Sequence, residues 1–547
     1  VVSDLLLPLL GSLAFYALLR VATFLYRDFT APLRVRDLPG PKSPSIWYGS
    51  FNELAVRADH RLMPKWRAEY GRNFQFRGLF NIRELHTSDP KAMAHIVANT
   101  VTYQKSPATR YNVVRMLGNG VSCLHILTRV LTSPPQTPAF GVKHTKELTP
   151  VFVQHANELR DYWIAELGKE KAKENDSSLR IEVFAWLRKA ALDVIGETGF
   201  NYKFDALNPN GKPSELMDAL TQLFHSSGAQ RNFVLRAAQA NFSILQLIPL
   251  PNRDAAVFLG AKKKLFDIGA QLVAESKAYI EAAGGEENAG GRQDLLSLLM
   301  RANLSKSLPE SERLTDEAVI AQVPSFVVAG HENTSSGMAW TLHQLSLNPD
   351  VQRKLREELL AVETDTPSYE QLNALPYLEK VIRETMRLHA PVDFTGRMAI
   401  ADDVIPLQTP YVDKKGKVHD SIPVRKGQKI HVPITALNVD KELWGDDAEE
   451  FKPERWDAPP KAISAIPSVY ANLFTFYAGG HSCIGFRFSL MEQRAVLFAL
   501  VRAFEFGEAV PREAIGRTSA TSLQKPIVLA ERGKGTQMPL VVKLYGG

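Results

Sequence analysis

The stretch "FTFYAGGHSCIGFRF" (Phe474–Phe488) sets Cys483, one of only two cysteines in 547 residues, among three glycines and a histidine, directly ahead of an apolar run. Glycines on both sides let backbone approach something flat or large with no Cβ in the way. Gly485 opens "GFRFSLMEQRAVLFALVRAF", whose apolar positions recur at helical spacing. The amides and dipole at the N-terminus of such a helix stabilise a thiolate. The setting reads as that of a ligand rather than a core thiol. Iron in a haem accepts a single protein thiolate, whereas structural zinc needs several ligands, which are not clustered here.

Outward from that stretch, composition limits the rest. The other cysteine, Cys123, is remote in sequence, so the two give no disulfide framework and the folded body suits a reducing compartment. With 45% hydrophobic and 23% charged residues the chain buries a sizeable core. A net charge of +6 suits an anionic membrane face or an acidic partner, but no Lys/Arg block is dense enough for nucleic-acid recognition.

The first residues predict a membrane anchor. "LLLPLLGSLAFYALLRVATFLY" (5–26) is apolar except for Arg20 and approaches the roughly 20 residues that cross a bilayer. Arg27, Arg34 and Arg36 follow it and only Asp4 carries side-chain charge before it, so the positive-inside bias leaves the remainder in the cytosol. The chain opens on Val1 rather than Met, so its true start is expected to be missing. "LPGPKSP" (38–44) is a stiff spacer between anchor and body. The expected organisation is an anchor and flank over 1–36 and one large domain over 37–547.

That domain reads as mainly α with minor β. "DVQRKLREELLAV" (350–362) and "LEKVIRETMRLH" (378–389) repeat apolar positions at three and four. "KIHVPITAL" (429–437) alternates like a strand, and polar stretches at 168–178, 207–214 and 283–292 read as surface loops.

Phe476, Gly479, His481, Cys483 and Gly485 match the Phe-x-x-Gly-x-(Arg/His)-x-Cys-x-Gly haem loop of the cytochrome P450 family, the haem-thiolate monooxygenases. The resemblance extends over nearly the whole body, to "MPLVVKLY" (538–545), and its style is closest to fungal membrane-bound members. It implies a single haem b domain with Cys483 as the axial iron ligand and His481 in place of an arginine that contacts a haem propionate. Arg397 stands at the family position for a second propionate contact. Glu384 and Arg387 in "ETMR" share one helix face and, with Arg455 in "FKPERW", resemble the structural Glu-Arg-Arg triad behind the haem.

On the distal side, "AGHENTSS" (329–336) resembles the oxygen-binding part of the family's long central helix. Glu332 matches the acid of an acid-alcohol pair that delivers protons during O–O cleavage. The alcohol position holds Asn333, and Thr334 lies about 100° further round the helix. An amide holds water or oxygen but lacks a hydroxyl that both gives and takes a proton. Gly330, in a helix interior, marks a place where something presses on the backbone, by resemblance dioxygen.

The implied activity is insertion of one oxygen atom of O2 into a hydrophobic small molecule, with electrons from an NADPH-cytochrome reductase, at the endoplasmic reticulum membrane with the catalytic domain cytosolic. The alternative is a haem-thiolate isomerase or dehydratase that acts on a preoxidised substrate without O2. One segment departs from the family pattern. Between Gly120 and Pro138, relatives carry a basic helix that grips a haem propionate, whereas residues 121–137 hold Pro134, Pro135 and only Arg129 and His125 as basic side chains. Leu131 to Gln136 can be encoded so that a one-base shift yields Ser-His-Arg-Arg-Arg. Residues 121–137 therefore read as a frameshift or splicing error in the gene model, and the literal chain as one that holds haem weakly.

Overall fold

The computed structural model describes residues 33–56, 62–118, 140–174, 178–211, 215–225, 238–241, 245–246, 253–282, 294–304, 313–518 and 523–546, with seven isolated positions between 11 and 22. Most of the expected anchor (5–26) and all of 121–137, with Cys123, lie outside the described residues. Among the described residues no helix is long and apolar enough to cross a membrane.

The body is mainly helical. The elements that place the site are, in chain order, β1 (Asn73–Arg77), β2 (Arg83–Thr87), α1 (Pro90–Ala98), β3 (Tyr103–Gln104), α2 (Pro107–Leu117), α3 (Val142–Glu174), α4 (Val183–Phe200), α5 (Gln322–Leu347), α6 (Pro376–Leu388), β4 (Phe394–Ala399), β5 (Lys429–Pro433), α7 (Phe486–Ala503), β6 (Ile515–Thr518) and β7 (Lys525–Val528). The strands β1-β2-β5-β4-β3 form a five-stranded sheet in that order. β2 and β5 run parallel and the other pairings are antiparallel.

α5 is the central rod. Its apolar and small residues are buried almost all round, as befits a helix inside a large core. α6 begins at Pro376, where the missing N–H costs nothing, and stops before Pro391, which cannot continue a helix. α7 packs along α3, where the Phe152 and Phe488 rings meet edge to face at 4.8 Å.

Two sequence expectations shift. The polar run from 168 is helical as far as Glu174, because Lys and Glu are good helix formers and Lys169 pairs with Glu166 at 2.6 Å. The strand expected over 429–437 ends at Pro433, and Ile434–Asn438 turns into a short helix.

Candidate active site

The Cys483 loop is a tight hairpin ahead of α7. The Cys483 backbone N–H donates to the Phe476 carbonyl at 2.8 Å, closing the loop on itself. Phe476 is buried between Tyr470 and Phe486, with ring centroids 5.8 and 6.0 Å away. Gly479 has φ +64°, and a Cβ there would lie 2.4 Å from the Val97 carbonyl oxygen at the end of α1, so only glycine fits. His481 closes the 3-10 turn Gly479–His481, and Gly485 caps α7.

The Cys483 side chain is reachable by water although protein atoms enclose it closely, as expected for a thiol that faces a recess. Burial pushes its thiol up to about 11, against the Gly485 backbone N–H, which lowers it. The Gly485 N–H at the start of α7 acts in the thiolate's favour, and burial acts against it. A coordinated metal ion deprotonates such a thiol outright.

Behind the loop, the three triad residues come together. Arg387 donates to Glu384 through Nε at 2.9 Å and Nη2 at 2.7 Å, and both side chains are fully buried. Arg455 Nε lies 3.3 Å from Glu384 Oε1 and its Nη1 donates to Asp447 at 2.6 Å. Arg387 also donates to the carbonyls of Asn438, Ala448 and Glu450, so the pair organises the whole segment that leads into the Cys483 loop.

The distal residues lie on α5. Ala329 is exposed and Val328, Gly330 and Asn333 half-buried in the middle of an otherwise buried helix, so this stripe is left uncovered by the neighbouring elements. Gly330 proves to be a packing glycine: a Cβ there would lie 2.9 Å from Ile195 of α4, so what presses on the backbone is the neighbouring helix. Asn333 Nδ2 donates to the Ala329 carbonyl at 3.0 Å, and its Oδ1 has no hydrogen-bond partner among the described residues. Thr334 is turned away, its hydroxyl 3.0 Å from Ser489 on α7, and serves to tie α5 to the helix that follows Cys483. That tie holds α5 against the helix that opens directly after the cysteine loop.

Glu332 is buried and meets Arg188 of α4 at 2.6 Å, Lys525 of β7 at 2.5 Å and His331 Nε2 at 3.4 Å. Burial raises its carboxyl, but hydrogen bonding to His331 and the charges of Arg188 and Lys525 outweigh that and hold it far below the ordinary carboxylate range. Arg188, Lys525 and Ser489 were not foreseen, because each partner lies far along the chain from 332–334 and no local pattern links them.

Arg397 on β4 is buried, and its guanidinium lies 4.7 Å from the centre of the Tyr477 ring in the cysteine loop. It donates only to Thr395 and the Gly396 carbonyl, and no carboxylate among the described residues pairs with it. A buried, acid-free guanidinium is costly unless an anion meets it. The haem implied by the sequence fits these features: a thiol that faces a recess, a glycine-bounded loop, a buried cation facing that loop and an uncovered stripe of helix.

Comparison with known proteins agrees. The cytochrome P450 family model matches residues 39–529. The chain is 45% identical over 546 residues to cytochrome P450 monooxygenase 128 of Postia placenta, covering 98% of this chain and 97% of that protein. It is 45% identical over 524 residues to cytochrome P450 monooxygenase 205 of the same fungus, covering 94% of each. Against cytochrome P450 monooxygenase claW of Ampulloclitocybe clavipes the identity is 32%, over 97% of this chain and 95% of the relative. With the cysteine loop, the triad and the central helix in place, this chain belongs to the cytochrome P450 family, whose members bind haem iron through a cysteine thiolate.

Proposed function

We propose that the chain is a membrane-anchored monooxygenase that inserts one atom of O2 into a hydrophobic small molecule, taking electrons from an NADPH-cytochrome reductase. The observation that carries this reading is the pairing of a lone thiol that faces a recess with a buried, ion-paired Glu332 on α5. When bound, with the Cys483 thiolate as its protein ligand, a haem would supply the oxygen activation and substrate oxidation. Phe476, Gly479, His481, Gly485 and Arg397 hold it, while Glu384, Arg387 and Arg455 keep the loop rigid.

The chain's own residues handle the protons. Glu332 is an anion at rest, so it carries a proton only by swinging off Arg188 and Lys525, after which their charges drive that proton onward. Asn333 anchors its amide nitrogen on Ala329 and presents Oδ1, an acceptor that holds a water in the gap where a hydroxyl would otherwise stand. Val328 and Ala329 give the open stripe an apolar lining, which favours an uncharged substrate. The apolar run 5–26 would tether the domain to the cytosolic face of the endoplasmic reticulum.

The test is stoichiometric. Protein reconstituted with the reductase and screened against apolar compounds should consume NADPH and O2 in proportion to an oxygenated product. Turnover of a hydroperoxide with no reductase present would support the isomerase alternative instead. Cys483→Ser should lose the thiolate-type ferrous carbonyl spectrum; retention of that spectrum would remove Cys483 as the ligand.

A further inference from the structure

Arg397 is not the sole cation at its end of the sheet. β3 pairs antiparallel with β4 through Tyr103 with Ala399 and Gln104 with Met398, and the Ile400 N–H donates to the Thr102 carbonyl at 2.9 Å, so the register is set over three steps. One further step puts Lys105 directly opposite Arg397. Residues directly opposite across an antiparallel pair project on the same face. Lys105 therefore shares the face on which Arg397 meets Tyr477 of the cysteine loop.

The backbone there is fixed. Immediately after Lys105, Ser106 caps α2 by accepting from the Thr109 N–H at 3.2 Å, and Pro107 fills the first helical position. Burial lowers the pKa of the Lys105 ammonium, and the neighbouring Arg397 charge lowers it further, although the side chain is open to water. The Lys105 ammonium thus stands open to water and close enough to the buried Arg397 guanidinium for the two charges to oppose each other. No acidic residue among the described ones pairs with Lys105 or Arg397, and the buried Tyr477 hydroxyl beside Arg397 has no hydrogen-bond partner there either. Like charges opposed across a strand pair destabilise it unless an anion sits between them.

We propose that Lys105 is a further haem-binding residue of this chain, which with Arg397 clamps the carboxylates at the haem edge. This assignment rests on the haem-thiolate reading of the site. It gives the chain a second propionate cation outside residues 121–137, the segment in which the sequence lacks the expected basic helix.

The experiment follows haem leaving the holoprotein for an excess of a haem-scavenging apoprotein. Lys105→Met keeps the length of the apolar stem and removes the charge. It should release haem about tenfold faster than wild type at low ionic strength, as expected for loss of one charge-assisted hydrogen bond. Lys105→Arg should restore slow release, and high salt should bring wild type toward the Met variant, because a partly open ion pair is screened. The carbonyl spectrum of all three should be the same. Equal release from Lys105→Met and wild type would overturn the proposal, as would a difference that the arginine variant does not rescue or that salt does not narrow. A wild-type protein without haem or without the thiolate-type spectrum would defeat the underlying haem reading, and that is seen before any variant is compared.

Discussion

Replacing Glu384 by glutamine tests whether the buried triad holds the fold. The carboxylate accepts from Arg387 Nε and Nη2 at 2.9 and 2.7 Å, Arg455 Nε at 3.3 Å, Trp456 Nε1 at 3.1 Å and the Lys452 backbone N–H at 3.0 Å. Both oxygens face donors only. An amide of the same shape turns one of them into an NH2 group pointed at N–H groups, whichever way it is placed. Arg387, fully buried, then keeps three carbonyl partners but loses the counter-charge that made its burial tolerable. Removing one partner of a buried ion pair costs about 3–5 kcal/mol, which is roughly a hundredfold to a few-thousandfold in the folding equilibrium. Urea unfolding followed by tryptophan fluorescence reads this directly, since the Trp444 and Trp456 rings lie 5.7 Å apart beside the triad. Lys354→Met is the control: its pair with Glu454 at 2.8 Å is about half exposed on each side, and its loss should cost less than about 1 kcal/mol. A Glu384→Gln variant no less stable than that control would refute the reasoning.

Asn333→Thr should raise the fraction of reducing equivalents that end in product rather than peroxide, because a threonine hydroxyl keeps the bond to the Ala329 carbonyl and adds a proton relay; unchanged coupling would mean that the amide already suffices. His86 and His431 stack in the sheet with their Nδ1 atoms 3.1 Å apart, and burial holds His86 well below 6.5 and His431 at about 4. Both are neutral in the fold and protonate first in the unfolded chain, so their contribution is complete above about pH 6.5 and is lost as pH falls toward 4; His431 alone contributes about 3 kcal/mol over that window. Denaturant midpoints taken from pH 7 to pH 4 should fall with that slope and flatten in His431→Phe. Deleting residues 1–36 should release the protein from membranes with its haem absorbance intact, and persistent membrane binding would point to a second contact surface.

The sequence carried the site where chemistry depends on neighbours along the chain. Cys483, its glycines and Phe476 form one local loop, and Glu384 and Arg387 share a helix face, so short motifs carry the family resemblance that assigns them. It carried less where the partner arrives from elsewhere. The sequence marks Glu332 as an acid that delivers protons but not its ion pairs with Arg188 on α4 and Lys525 on β7, and no helical period reveals a cation 144 residues upstream. Thr334 differs from Asn333 only by its turn of the helix, but its contact with Ser489 makes it a strut. Gly330 shows the same limit: the sequence marks a close approach without saying that Ile195 makes it.

Charge is distributed unevenly around the candidate site, and the two sides differ in what they need. On α5 the single buried carboxylate, Glu332, is already compensated by Arg188 and Lys525, so that wall needs no further cation and can present an apolar stripe to substrate. On the sheet side, Arg397 and Lys105 stand together with no carboxylate among the described residues, and that wall is uncompensated until an anion arrives. Cys483 lies on neither balance as a thiol, because burial keeps it protonated, and it contributes its negative charge only when a metal ion takes the proton's place. A ligand that brings a cationic centre for the sulfur and carboxylates for the two cations neutralises both at once. A metal centre at the sulfur without carboxylates at the clamp would leave the Lys105 and Arg397 charges uncompensated, so weakening that clamp should speed loss of the whole group even though no atom of the clamp touches the sulfur.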